Sequence, residues 1–95
     1  MAAYLIGDIE ISDPAGYEEY KRQVPATIAA YGGRYLSRAG ALEVLEGRWL
    51  PQRAVILEFP TMVQLKSWYN SPEYRPLREI RGRTARSNLV AIEGV

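Results

Sequence analysis

Residues Arg53–Arg86 read RAVILEFPTMVQLKSWYNSPEYRPLREIRGRTAR. The stretch opens on the most apolar strand candidate in the chain, Ala54–Phe59. Its side chains alternate, with Val55, Leu57 and Phe59 on one face and Ala54, Ile56 and Glu58 on the other. Thr61 then stands where a helix needs an N-cap, and Met62, Leu65, Trp68 and Tyr69 fall on one side of the helix that follows. Ser71-Pro72 interrupts that helix. It restarts with Tyr74 and Leu77 as its inward residues, and the restart is loaded with arginine.

Outward from this stretch the same patterns recur. Tyr4–Ile11 alternates as a strand, with Leu5, Gly7, Ile9 and Ile11 on one face and Tyr4, Ile6, Asp8 and Glu10 on the other. Asp13 and Pro14 suit the N-cap and first turn of a helix. Tyr17, Tyr20, Val24, Ile28 and Tyr31 make its apolar stripe, Pro25 is expected to kink it, and Gly32-Gly33 end it. Arg34–Arg38 reads as a second strand. The Ala39-Gly40-Ala41 step breaks it and Leu42–Glu46 resumes it, so one bulged strand is expected there. Ser87–Glu93 closes the chain as a strand. The order β-α-β-β-α-β implies a single domain over residues 1–95, a ferredoxin-like α+β sandwich with both helices on one face of an antiparallel sheet. The other face carries Tyr4, Ile6, Ile56 and Leu36, which is too apolar to leave in water. A homodimer through the sheet face, burying at least about 1,600 Å² in total, is the expected solution.

Composition narrows the chemistry. Ninety-five residues with 47% apolar and 24% charged side chains describe an ordinary globular domain. The net charge of +1 gives no bulk argument for nucleic acid or membrane. The absence of cysteine excludes disulfides, zinc–thiolate sites and thiol nucleophiles. The absence of histidine excludes proximal-His haem and Ser-His triads, so no cofactor is expected. Acid–base work near neutral pH would fall to a shifted carboxylate or a tyrosine. The start MAAYLIGDIEISD lacks a basic n-region and no apolar run approaches the ~20 residues of a membrane span, so a cytoplasmic location is expected.

Five segments carry a resemblance: YLIGDIEISDPAGYEEY, GGRYLSRAG, ALEVLEG, RAVILEFP and SWYNSPEYRPLREIR. In this order and spacing the chain resembles DUF1330 proteins of the dimeric α+β barrel superfamily. The resemblance implies that barrel architecture. It is similar in build to cofactor-free monooxygenases, muconolactone isomerase and stress-responsive barrels, but it brings no catalytic residue with it.

Three clusters are candidate sites, each with a plain structural alternative. Asp8 and Glu58 are assigned to the barrel-facing side of the sheet, with Arg38 in reach if the bulge preserves its direction. There one carboxylate would act as a base and the arginine would hold an anion; the alternative is an ion pair setting dimer register. In Trp68–Tyr74, Tyr69 and Tyr74 would line a pocket mouth; the alternative is core packing at a capped helix restart. The arginines at 75, 78, 81, 83 and 86 suit an anion, but a solvated helix face paired with Glu73 and Glu79 is the expected reading. An RNA-recognition fold has the same strand order, yet its aromatic strand pattern is missing from RAVILEF. The expected function is the binding of a small organic molecule, with cofactor-free isomerase or monooxygenase-like activity as an extension. The competing expectation is a non-enzymatic interaction or regulatory barrel with a packed interior. A void of roughly 300 Å³ or more beside Asp8 and Glu58 would separate the two.

Overall fold

The computed structural model describes residues 1–95. Strand β1 (Ala3–Ile11) leads through Asp13, whose carboxylate accepts from the Gly16 N–H at 3.2 Å, into helix α1 (Pro14–Ala30). The chain continues through β2 (Arg34–Arg38) and β3 (Ala54–Phe59). Thr61 Oγ1 accepts from the Gln64 N–H at 3.1 Å and starts α2 (Met62–Tyr69). The Ser71 hydroxyl donates to the Trp68 carbonyl and accepts from the Tyr74 N–H, so the break expected at Ser71-Pro72 is a capped restart into α3 (Arg75–Thr84). Strand β4 (Ala85–Glu93) follows directly.

The four strands form one antiparallel sheet in the order β2-β3-β1-β4. All three helices cover one face. The core lies between the layers, where Leu5, Ile9, Leu57 and Phe59 from the sheet meet Tyr17, Tyr20, Val24, Ile28, Leu65, Trp68, Tyr74 and Leu77. The molecule is a slab of 34 × 32 × 17 Å, two layers thick. Its opposite sheet face keeps Leu36 48%, Val90 59% and Ile92 55% exposed, beside half-buried Tyr4, Ile6 and Ile56.

Two local expectations change. The bulge lies inside β2, where Tyr35 opposes Leu57 and Ser37 opposes Ile56, leaving Leu36 as the extra residue. Leu42–Glu46 does not resume the strand; residues 39–53 hold no helix or strand, because Ala39 turns the chain at φ 56° and carries it away from β3. Pro25 lies within one continuous helix.

Candidate functional site

Between the sheet and the helices lies a cavity whose floor is Leu5, Ile9, Val55 and Leu57. Helix α1 lines it with Tyr17, Tyr20 and Val24, because these recur at helical spacing on its buried stripe. Trp68 enters from α2, Tyr74 from the capped restart and Arg81 from α3. The Tyr20 and Tyr74 hydroxyls share a buried hydrogen bond of 2.7 Å. The Trp68 and Tyr74 rings lie 4.1 Å apart centre to centre. The indole N–H is committed to Thr27 Oγ1 at 3.1 Å, so Trp68 presents an apolar wall to the cavity. The unfilled space is about 30 Å³, room for one or two waters.

The charged residues at the cavity wall are Lys21, Arg38, Arg53 and Arg81, with no carboxylate among them. Arg38 lies over the Tyr35 ring at 4.8 Å and Arg53 over Tyr17 at 5.8 Å. The Nε atoms of Arg53 and Arg81 are buried without a hydrogen-bond partner. The ion pairs of the chain are Lys21–Glu18, Arg22–Glu19 and Arg34–Glu58, and none of them reaches Arg38, Arg53 or Arg81. Burial pushes the Tyr17 and Tyr35 phenols up. It does the same for Tyr20, with the neighbouring Tyr74 adding to the effect, so these phenols remain neutral. Burial pulls the Arg81 guanidinium down, but Tyr74 and Tyr20 outweigh it and Arg81 stays cationic.

The other candidates sit elsewhere. Asp8 and Glu58 are on the open sheet face, but the register sets Asp8 opposite Ala54 and Glu58 opposite Tyr4. Four residues of strand separate them, about 13 Å. Asp8 accepts from the Trp49 indole at 2.9 Å and from the Gln52 N–H at 3.1 Å. Glu58 accepts from Arg34 Nε at 2.8 Å. Arg38 does not share their face. The bulge at Leu36 turns it to the helix side, opposite Val55, where its Nη2 donates to the Lys21 carbonyl at 2.7 Å. A groove of about 410 Å³ does lie beside Asp8, lined by Glu10, Gln52, Arg86 and Asn88, but it does not extend to Glu58. Tyr69 packs under the Arg78 guanidinium at 4.0 Å and lines a separate outer groove with Leu65 and Leu89, whereas Tyr74 faces the cavity.

The arginine run also divides. Arg75, Arg83 and Arg86 are exposed, but Arg81 is buried, and no ion pair forms to Glu73 or Glu79; Glu73 instead accepts from the Tyr31 hydroxyl at 2.7 Å. Sequence reasoning passed over Tyr17, Tyr20 and Arg53 as site residues and set Arg81 on a solvated arginine face rather than on the cavity wall. One signal was present: Tyr74, Leu77, Arg81 and Thr84 recur at helical spacing, which places an arginine on an otherwise inward stripe.

The family described as a domain of unknown function, DUF1330, matches residues 2–95. The chain belongs to the DUF1330 family. No curated protein matches it. Among solved structures, this DUF1330 chain is similar to the RPA0582 protein of unknown function from Rhodopseudomonas palustris, with 17% identity, TM-score 0.78, and coverage of 99% of this chain and 82% of that one. It is also similar to SnoaB, a cofactor-independent oxygenase from Streptomyces nogalater, with 10% identity, TM-score 0.68, and coverage of 99% and 93%. A dimeric ferredoxin-like protein of unknown function from Jannaschia matches with 12% identity, TM-score 0.67, and coverage of 99% and 100%. At these identities the likeness establishes the ferredoxin-like fold of the DUF1330 chain.

Proposed function

We propose that the chain is a homodimeric small-molecule-binding barrel whose ligand enters between the sheet and the helices. The observation that carries this reading is the buried Tyr20–Tyr74 hydroxyl pair beside Arg81, three polar groups gathered in an apolar interior. The two hydroxyls partner each other, but Arg81 Nε beside them has no partner, and a buried polar group left so costs free energy that packing alone gives no reason to bear. The ligand-facing residues are Arg38, Tyr74, Tyr20 and Arg81. Hydroxyl and guanidinium donors of this kind stabilise an enol or a developing oxyanion, which is the electrostatic part of an isomerisation or a cofactor-free oxygenation. The fold shared with a cofactor-independent oxygenase supports that extension by analogy. The dimer reading rests on the bare apolar sheet face, and proteins of the same fold are described as dimeric. On that face Asp8 and Glu58 act as anchors for the 39–53 segment and for Arg34.

One observation favours the rival reading of a packed interaction barrel: the resting cavity holds only about 30 Å³ of free space. A nuclear magnetic resonance screen of small organic molecules decides between them. Binding should move the Trp68 indole signal together with Tyr20 and Tyr74. Hits confined to the open sheet face, or no hits and no co-purified small molecule, would leave the packed barrel standing.

A further inference from the structure

Resting on the reading of this cavity as a ligand site, we infer that its ligand is a small organic anion, a carboxylate or enolate oxyanion on an apolar body, with its charged oxygens toward Arg81 and Arg53. Every charged side chain at the wall is a cation, in a chain with almost as many acids as bases. Lys21 has Glu18 as a partner at 3.2 Å, and Arg38 has the Lys21 carbonyl. Arg53 and Arg81 have neither a carboxylate nor a partner for Nε, and Arg81 is only 9% exposed. A guanidinium that far from water is completed by a negative charge.

The tyrosines point the same way. Two hydroxyls carry two protons, and the Tyr20–Tyr74 bond uses one. The other proton has no protein acceptor. The cavity therefore offers donors in excess and lacks acceptors, which an anionic oxygen supplies. A bare inorganic anion does not fit as well. Twelve of the sixteen lining residues are hydrophobic, so the body behind the charge must be apolar to cover them. The way in is past Arg38. Its side chain is exposed and held by one hydrogen bond and by the face of the Tyr35 ring, so it can swing out to widen the mouth and return over the bound acid.

Isothermal titration calorimetry on the full chain tests this with benzoate and phenylacetate against their amides, benzamide and phenylacetamide, and against inorganic phosphate. The acids should bind at least about 10-fold more tightly than the amides, the margin expected of a charge-assisted guanidinium contact. Arg81→Met and Arg53→Gln should each weaken acid binding by a similar factor and amide binding by less than about 3-fold. Should Arg81→Met fail to fold, Arg53→Gln on the cavity rim carries the comparison. Amides binding as tightly as acids would overturn the anion assignment while leaving the cavity a binding site. Phosphate binding as tightly as the acids would overturn the apolar body. If neither acids nor amides bind, the cavity is not a ligand site and the inference falls with it.

Discussion

Arg38 donates through Nη2 to the backbone carbonyl of Lys21 at 2.7 Å, and Pro25 is the reason that carbonyl is free. Lys21 lies four residues before Pro25, and proline has no N–H to close the helical bond. The guanidinium takes its place and ties edge strand β2 to α1 at the cavity mouth. Restoring the N–H with Pro25→Ala should raise stability by about 1–3 kcal/mol, the helix gain less the lost stiffness of the unfolded chain. It should also release Arg38. Urea unfolding and the exchange rate of the Arg38 side-chain N–H check the two halves; a destabilised variant with Arg38 still held would refute the account.

The Tyr20–Tyr74 pair makes a second test. Either single change, Tyr20→Phe or Tyr74→Phe, leaves one buried hydroxyl unpartnered and should cost about 1–3 kcal/mol. The double variant should cost clearly less than the sum of the singles, because no orphan remains. Additive losses in a double-mutant cycle would show that the two hydroxyls do not act together.

Alkaline pH should unfold the protein through the same residues. Burial raises the Tyr17, Tyr20 and Tyr35 phenols above the ordinary 10.0, so the folded state holds protons that the unfolded chain releases. Their contribution is complete below pH 10 and is lost as pH climbs beyond it. Phenolate absorbance should therefore lag behind that of a free phenol and rise together with unfolding. Full titration near pH 10 with the fold intact would contradict this.

Gly33 marks a close approach rather than a special backbone angle. A methyl group there would meet the Phe59 ring at 2.5–2.8 Å, and Phe59 is fully buried with nowhere to retreat. Gly33→Ala should cost about 1–3 kcal/mol by overpacking. Gly82→Ala, where nothing lies within 4 Å, is the control and should be neutral or stabilising in thermal melts.

Ile56 sits at the middle of the bare sheet face, opposite Ile6. Ile56→Lys should leave the subunit folded and convert a dimer to a monomer, seen as a halved mass by light scattering. Unchanged mass would place the interface elsewhere.

Strand and helix periodicity, the caps at Asp13 and Thr61 and the Ser71-Pro72 restart were legible from neighbouring residues alone, because each depends on interactions within a few positions. That is why the sequence by itself determined the ferredoxin-like order and the greasy second face. It did not determine where the arginines go. A single bulge at Leu36, set by pairing with β3, reverses Arg38 and carries it from Asp8 and Glu58 to the helix side, since strand side chains alternate with a period of two. Only the tertiary structure brings Tyr20, Tyr74, Arg53 and Arg81 together, from segments as far apart in the chain as Tyr20 and Arg81, which local pattern cannot align.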